Sequence, residues 1–215
     1  MRINRMFVAL AATALLMPAV PATAQLGARP AEDWIQTLDG PQRVAGMKIP
    51  ELVAALKLQP GQTVADIGAG SGLLEPPLAH AVGPKGRVYA VEIDEGFFPM
   101  IKKRASEANV TNVETVLGKF SDPVLPVKNF DVALFHDVLH LVEARGAYIK
   151  TLVGYLAPSG RVIIVDYEGG RGPHREQPEL EVTRDQLAGW MKDAGLKQVE
   201  DIKLFEDKYF LVFAR

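Results

Sequence analysis

The sequence contains no cysteine. A chain without cysteine forms no disulfide, holds no cysteine-ligated zinc and has no thiol nucleophile. The same absence excludes the thiol chemistry on which arsenic-handling enzymes depend. By itself, the absence of cysteine does not distinguish an exported protein from a cytosolic one.

Neither sign of charge dominates the chain, which has 24 basic and 26 acidic residues and a formal net charge of −2. No run of lysine and arginine stands out, so nothing in the sequence favours nucleic acid or an anionic membrane surface as a partner. Hydrophobic residues make up 48% and charged residues 23% of the chain, as in an average globular protein. A length of 215 residues indicates one domain with a small appendage.

Long apolar runs are also absent, because the run at residues 7–17 is too short to span a bilayer. Arg2 and Arg5 precede this run, and Ala22-Thr23-Ala24 follows it. The pattern predicts a secretory signal over residues 1–24, with cleavage after Ala24. The alternative is a disordered or amphipathic N-terminal arm. Without a cysteine for lipid attachment, we expect export with no stable membrane anchor.

From residue 63 onward, short apolar runs alternate with helix-compatible segments. The predicted strands are 63–67, 87–92, 113–117, 130–135 and 161–166, followed by an antiparallel pair at 199–205 and 209–214. The predicted helices are 49–58, 72–81, 96–108, 144–156 and 184–194. This alternation predicts an α/β fold with a parallel sheet covered by helices on both faces.

Two further segments flank or interrupt the main domain, which we place at residues 48–215. Residues 25–47 form a polar lead in which Trp34 and Ile35 are expected to dock on that domain. Residues 169–178 are rich in glycine, proline and charge, and are expected to be a mobile loop or active-site flap. Both segments are expected to shape the pocket for a substrate.

The first predicted strand ends in a turn with Gly68, Gly70 and Gly72 at every second position. A strand, a tight turn and a helix start present backbone N–H groups to a ligand. The second predicted strand ends at Glu92, and an acid in this position takes ribose hydroxyls in nucleotide-binding sheets. Ligands of such sheets bind outside the carboxyl ends of the strands, beside strand one. The sequence therefore predicts a nucleoside-containing cofactor there.

Several segments in consistent order resemble motifs of class I S-adenosylmethionine-dependent methyltransferases. They are residues 64–72, 88–94, 112–118, 130–140 and 156–165. The resemblance implies a Rossmann-like, seven-stranded, mostly parallel sheet with a C-terminal antiparallel pair and helices on both faces. It implies S-adenosyl-L-methionine as the cofactor and direct in-line methyl transfer. The acceptor is expected to be a small molecule, because nucleic-acid amino methylases carry Asn/Asp-Pro-Pro-aromatic where this chain has Phe135-His136-Asp137-Val138.

The resemblance also implies which residues contact the cofactor. They are Asp66, Gly68, Ala69, Gly70, Gly72, Glu92, Ile93, Lys119, Phe120 and His136. Glu92 is expected to hold both ribose hydroxyls, and Asp66 to brace the turn or reach the methionine amino group. Family members often carry an acid that meets the adenine amine where this chain has Lys119. The adenine is therefore expected to lean on Phe120 or on backbone groups.

Polar residues that follow strand four face the side from which a methyl acceptor should arrive. A histidine with a near-neutral pKa can take a proton from a hydroxyl, an amine or an acidic carbon, so His136 and His140 are the candidate catalytic bases. The alternative is that both are structural. No metal is predicted, although His136, Asp137, His140 and Asp166 are possible nitrogen and oxygen ligands. His174, in the 169–178 loop, is expected to be an exposed loop residue rather than a gate.

Two other functions stay open at this point. A nicotinamide-dependent oxidoreductase shares the glycine loop and the acid, but its fingerprint is G-x-G-x-x-G, whereas this chain has G-x-G-x-G at residues 68–72. A non-catalytic S-adenosylmethionine- or nucleoside-binding module is suggested by the predicted signal, because S-adenosylmethionine is made in the cytosol. Neither the acceptor nor the oligomeric state can be read from the sequence.

Overall fold

A computed structural model describes residues 30–215 of the protein, so the predicted signal at residues 1–24 lies outside the described residues. The α-helices are α1 (Ala31–Leu38), α2 (Pro41–Gly46), α3 (Ile49–Ala55), α4 (Glu75–Val82), α5 (Phe98–Glu107), α6 (Arg145–Val153) and α7 (Arg184–Asp193). The strands are β1 (Thr63–Ile67), β2 (Arg87–Glu92), β3 (Val113–Leu117), β4 (Phe130–His136), β5 (Leu156–Tyr167), β6 (Lys197–Asp201) and β7 (Lys208–Ala214). Short 3₁₀ turns occur at Glu95–Phe97, Leu139–Leu141 and Pro178–Leu180.

The seven strands form one sheet in the order β3-β2-β1-β4-β5-β7-β6. Neighbours from β3 to β5 pair in parallel, and β7 runs antiparallel to both β5 and β6. The parallel α/β sheet and its closing antiparallel pair confirm the predicted fold class. The strand order reverses between β1 and β4, and this reversal is where sheets of this type open a crevice for ligands.

The sequence placed β1, β2 and β3 at their observed bounds but misplaced several other element ends. The helix after the glycine turn begins at Glu75 rather than at residue 72. Gly72 has a φ of +84°, which no helical residue adopts, and Pro76 and Pro77 fill first-turn positions that need no N–H donor.

Strand β5 is longer than predicted, and the helix before it is shorter. α6 ends at Val153, and β5 already begins at Leu156, whose partner is Phe130 across an irregularity in the β4–β5 register. β6 spans Lys197–Asp201 instead of residues 199–205. The apolar side chains Leu204 and Phe205 suggested a strand, but they pack at the margin of the core instead.

Successive residues of the central strands point to opposite faces of the sheet, each of which has its own core. Phe135 packs in the core beneath α6 and α7, whereas Leu134 packs in the core beneath α3 and α4. The next residues follow the same alternation at the carboxyl edge. His136 therefore lies on the Leu134 face, and Asp166 lies on the Phe135 face.

The α1–α2 segment, here called the cap, lies against the glycine turn. Trp34 and Ile35 pack in a small cluster with Ala31, Phe97 and Ile101, which confirms that the lead docks on the domain. No helix within residues 30–215 has the length and apolar character needed to cross a bilayer.

Three polar side chains fasten the cap to this turn. Ser71 Oγ donates a hydrogen bond to Asp39 Oδ1 at 2.6 Å, and the Arg104 guanidinium forms an ion pair with the same carboxylate. Arg104 Nε also donates to the carbonyl oxygen of Ser71 at 2.8 Å. The carboxylate at the end of α1 is thus bound to both the turn and α5.

Gly86 tests how tightly the start of β2 is packed. A Cβ at this position would lie 2.5 Å from Val82 Cβ and 2.7 Å from the carbonyl oxygen of Gln62. We expect Gly86→Ala to lower the free energy of unfolding by about 1–3 kcal/mol, the usual effect of overpacking. Gly46→Ala is the matched control, because nothing lies within 4 Å of its added Cβ. Thermal unfolding measures both variants, and equal melting temperatures would contradict the packing.

Candidate functional site

The turn after β1 can be built only from glycine at its key positions. Gly68, Gly70 and Gly72 have φ values of +74°, +57° and +84°, a region that side chains rarely tolerate. A Cβ at Gly68 would also lie 2.4 Å from Val138 Cγ2. The N–H groups of Gly68 and Ala69 both donate to the carbonyl oxygen of Val91, so the turn is attached to the end of β2.

Glu92 completes this attachment with its side chain. Its Oε1 accepts from the Gly70 N–H at 2.8 Å, and its Oε2 accepts from the Ile93 N–H at 2.9 Å. Burial raises the pKa of Glu92, and these two N–H donors act in the opposite direction. Because a carboxylate can accept about four hydrogen bonds, the group keeps acceptor capacity beyond these backbone donors.

The surroundings of Glu92 suit the rest of a nucleoside. Ile93 is 37% exposed and Phe120 is 52% exposed, and both follow the carboxyl ends of neighbouring strands, β2 and β3. Two exposed apolar side chains and a carboxylate at the ends of neighbouring strands suit a flat base next to a ribose. The backbone of Lys119 forms a bridge with Asp122, and its side chain is exposed. The residues present therefore fit S-adenosylmethionine.

Glu75 is a buried acid that no motif in the sequence marks as a site residue. It is fully buried and faces Asp66, which is also buried. Burial raises the pKa of Asp66 to about 7, and burial together with the Asp66 charge raises the pKa of Glu75 well above its usual value. Neither carboxyl oxygen of Glu75 has a hydrogen-bond partner among the described residues, so the raised pKa favours an uncharged, protonated Glu75 beside Asp66. The burial of Leu78, Ala79 and Val82 at helical spacing from Glu75 is the sequence signal that marks its inward face.

A buried ion pair follows β4 on the α3–α4 face of the sheet. Lys208 Nζ lies 2.7 Å from Asp137 Oδ2, and both side chains are 6% exposed. Burial acts to raise the pKa of Asp137, but His136 and Lys208 outweigh it and hold the pKa below its usual value. The Lys208 ammonium also lies 4.6 Å from the centroid of the Tyr167 ring. Asp137 itself has a φ of +57°, an uncommon conformation for a residue with a side chain.

His136 belongs to the same buried group. Its Nδ1 lies 3.6 Å from Asp137 Oδ2, and burial lowers its pKa to about 4. The imidazole is therefore neutral near pH 7. Among the described residues, Nε2 of His136 has no hydrogen-bond partner, and the ring packs edge-on against Phe205.

His140 lies on the opposite face and is held by Asp166. Its Nδ1 lies 2.7 Å from Asp166 Oδ1, and its backbone N–H donates to Asp166 Oδ2 at 3.1 Å. Asp166 Oδ1 also accepts from the backbone N–H of Tyr167 at 2.9 Å. The two carboxylate oxygens are thus fixed by three contacts, and they orient the imidazole in turn.

A cavity of about 380 Å³, including its solvent-open mouth, adjoins His140. His140 and Leu180 line it from the core side, and the 169–178 loop supplies most of the remaining wall. His174 is half-buried there, with its ring centroid 5.3 Å from that of His140. The expectation that His174 is merely an exposed loop residue is therefore wrong, because the loop folds back over the carboxyl end of β5.

The structure separates the two candidate bases, since His136 and His140 occupy opposite faces of the sheet. Within residues 30–215, no group of three or more histidine and acidic side chains is arranged to hold a metal ion. The role of Asp66 at a methionine amino group stays a prediction, because its carboxyl is directed towards Glu75.

Comparison with known proteins shows which family the residues of this site resemble. Residues 65–164 match the family model described as a methyltransferase domain. They include the glycine turn, Glu92, His140 and most of β5. The matched residues, a little under half of the chain, are similar to a methyltransferase domain. S-adenosylmethionine is the cofactor that this class of domain uses.

Solved structures share the whole architecture of this methyltransferase domain. An S-adenosylmethionine-dependent methyltransferase from Aquifex aeolicus superposes with a TM-score of 0.74 at 22% identity, covering 86% of this chain and 97% of that one. The 1,6-didemethyltoxoflavin-N1-methyltransferase of Burkholderia thailandensis, solved with its acceptor and S-adenosylhomocysteine, gives a TM-score of 0.68 at 25% identity. It covers 92% of this chain and 90% of that one.

Sequence relatives are methyltransferases with different acceptors. An arsenite methyltransferase of Halobacterium salinarum is 27% identical over 83% of this chain and 44% of that protein. A nocamycin O-methyltransferase of Saccharothrix syringae is 38% identical over 48% of this chain and 37% of that protein. The matched part thus spans less than half the length of these curated relatives.

The Asp66–Glu75 pair predicts an unusual dependence of stability on pH. Because the folded pKa values are raised, the contribution of the pair is complete below the pKa of the unfolded carboxyls, near 4, and is lost as the pH rises through about 7 and beyond. Glu75→Gln keeps a hydrogen-bond donor for Asp66 and removes one titration. We expect the stability of the variant relative to wild type to rise by about 1–3 kcal/mol between pH 5 and pH 8.

Chemical denaturation at the two pH values measures this difference. Glu51→Gln, which changes an exposed glutamate on α3, is the matched control and should show less than about 0.5 kcal/mol of pH-dependent difference. A Glu75→Gln variant whose stability followed wild type at both pH values would show that the two carboxyls share no proton.

Proposed function

We propose that the protein binds S-adenosylmethionine across the carboxyl ends of β1 and β2 and catalyses transfer of its methyl group to a small-molecule acceptor. The observation that carries this proposal is the attachment of the glycine turn to Glu92, which holds a carboxylate beside the half-buried turn at the carboxyl end of β2. When bound, S-adenosylmethionine supplies a methyl group already activated on a sulfonium. The chain itself must bind, orient and exclude water.

The assignment of roles follows from the positions of the residues. Gly68, Ala69 and Gly70 bring backbone close to the cofactor, and Glu92 holds the ribose hydroxyls. Ile93 and Phe120 flank the adenine, with the backbone of Lys119 next to them. Gly72 lets the turn pass close to α5, where a Cβ would lie 3.0 Å from the Ile101 backbone. His136 is neutral and buried, with Nε2 unpartnered among the described residues, and it lies on the opposite face of the sheet from His140.

Orientation alone can supply much of the rate for such a reaction. Well-oriented intramolecular reactions gain roughly 7–11 kcal/mol over their bimolecular counterparts. Val138 against Gly68 and Leu38 against Gly70 show how closely the β4 loop and the cap approach the glycine turn. These contacts support a site in which the cofactor and the acceptor lie next to each other.

A small organic acceptor is the proposal best supported by the chain's composition and by the names of its relatives. Those relatives are named for nocamycin, didemethyltoxoflavin and arsenite. The absence of cysteine argues against arsenite, and the balanced charge argues against nucleic acid. The antiparallel β7 argues against the nicotinamide-dependent alternative, whose sixth strand is parallel.

Removing the Glu92 carboxylate tests the cofactor assignment. We expect Glu92→Ala to weaken S-adenosylmethionine binding by about 1.5–3 kcal/mol, or roughly 10- to 150-fold, because a charge-assisted pair of hydrogen bonds is lost. Glu95→Ala, an exposed glutamate in the following turn, should bind within about twofold of wild type. Calorimetry with S-adenosylmethionine, S-adenosylhomocysteine and NAD measures all three proteins. Binding of NAD alone, or an unchanged affinity in Glu92→Ala, would refute the assignment.

We also propose that the protein is exported and begins at Gln25 after cleavage. The proposal rests on Arg2, Arg5, the apolar run at residues 7–17 and the small residues before the cleavage position. Mass spectrometry of the exported fraction should detect an N-terminus at Gln25. Replacing the residue at the cleavage position, as in Ala24→Arg, should delay processing and serves as the comparison. A cytosolic protein with an intact Met1 would contradict export.

A further inference from the structure

The His140–Asp166 pair has the construction of an oriented base. Nδ1 of His140 lies 2.7 Å from a carboxylate oxygen, which makes it the nitrogen that carries a proton in the neutral ring. The second nitrogen, Nε2, then keeps its lone pair. The side chains of His140 and Asp166 are 10% and 2% exposed, so water competes little for the contact between them.

The backbone around His140 is fixed as firmly as its ring. Asp166 Oδ2 accepts from the His140 N–H, and Arg145 Nη2 donates to the His140 carbonyl oxygen at 2.6 Å. The rings of Tyr167 and His174 face the imidazole, with centroids 6.1 Å and 5.3 Å from its own. A buried imidazole is normally hydrogen-bonded whatever its role, but this one is held by a buried carboxylate and also borders a cavity. The arrangement therefore favours a chemical role over a structural one.

The pair is also close to the methyl-donor side of the site. Val138 lies against Gly68 in the cofactor turn, and His140 follows it by two residues, or at most about 7 Å of chain. The imidazole borders the cavity whose wall is the 169–178 loop. The enclosed part of that cavity is narrow, so a ring-sized molecule enters by displacing the loop wall.

We propose that His140 is the general base for the methyl acceptor, that Asp166 is its positioning residue, and that the acceptor is a phenol or enol held beneath the 169–178 loop. This inference rests on the proposed function. Nε2 of His140 accepts the acceptor's O–H proton, and Asp166 stabilises the resulting imidazolium. The acceptor oxygen forms a bond to the methyl carbon, and the carbon–sulfur bond breaks with its electron pair on sulfur. Protons and charge then balance without a metal or an oxidant.

The acceptor class follows from what a base contributes to methyl transfer. A neutral amine attacks through its own lone pair before it loses a proton, so an oriented base adds little to that reaction. A phenol or enol is a poor nucleophile until its proton is removed. General bases contribute about 10²–10⁴-fold to such reactions. A fixed His–Asp pair is therefore most useful for an acceptor with an ionisable hydroxyl.

Nuclear magnetic resonance of the imidazole nitrogens tests the pair independently of activity. The chain has four histidines, so each can be assigned with one substitution, including the exposed His80 on α4. With S-adenosylhomocysteine bound, we expect His140 to be protonated at Nδ1 and free at Nε2, and Asp166→Asn to lose that signature. Protonation of neutral His140 at Nε2 would overturn the proposal, because no lone pair would face the acceptor.

A chromophoric phenol tests proton transfer to the pair. In the presence of S-adenosylhomocysteine, 4-nitrophenol should show increased phenolate absorbance on binding, at a pH where the free probe is mainly protonated. His140→Gln should abolish this signal, Asp166→Asn should weaken it at least tenfold, and His80→Gln should leave it unchanged. The methyl ether 4-nitroanisole has no proton to give and should produce no change. Absence of a phenolate signal with wild type would overturn the proposal.

Turnover measurements distinguish a wrong role for the His140–Asp166 pair from a wrong proposed function. With paired phenol and amine acceptors, we expect His140→Gln to lower kcat for phenols about 100-fold or more while S-adenosylhomocysteine affinity stays within twofold. Asp166→Asn should lower kcat more than it changes KM. If wild type binds neither cofactor form, the proposed function is refuted. If it binds the cofactor and methylates phenols, but His140→Gln is equally active, only the role of the pair is refuted.

Discussion

The site depends on the way one turn is attached to the end of its neighbouring strand. The carbonyl oxygen of Val91 accepts from two successive N–H groups of the turn after β1, and Glu92 accepts from a third. These bonds hold three left-handed glycines in a conformation that the isolated chain would rarely adopt. Because β1 and β2 are parallel and in register, the carboxylate lies beside the turn without a specialised loop.

Around this turn, the carboxyl edge of the sheet collects buried charge, which is costly unless it is paired. Each buried acid at this edge avoids an unpaired charge in a different way. Burial raises the pKa values of Asp66 and Glu75, Asp137 pairs with Lys208, and Asp166 orients His140. A sheet edge that keeps three buried acid-containing pairs is not arranged for stability alone, since burying such groups rarely improves stability over apolar packing.

Much of the fold could be predicted from the sequence, because the features that determine it are local. Strands β1, β2 and β3 are short apolar runs bounded by turn residues, and their limits were visible as such. The ends of α6, β5 and β6 were not, because they depend on the contact of Phe130 with Leu156 and on where the C-terminal pair aligns. Such contacts join segments far apart in the chain, and no local pattern encodes them.

The site was predictable to a similar degree. The glycines and Glu92 follow a fixed spacing, whereas the partner of His140 lies on another strand, 26 residues away. Glu75 was missed because an acid in the first turn of a helix usually faces solvent and stabilises the helix dipole. Its inward orientation emerges only when Leu78 and Val82 are seen to be buried on the same face.

The hydrogen bonds and the ion pair among Asp39, Ser71 and Arg104 affect access to the glycine turn. Leu38 lies over Gly70, and the carboxylate that follows it is fastened to the turn on one side and to α5 on the other. Any movement of the first two helices away from the turn would have to break these polar contacts together. The cap and the glycine turn therefore behave as one mechanical unit, and access to the turn depends on the same carboxylate that stabilises it.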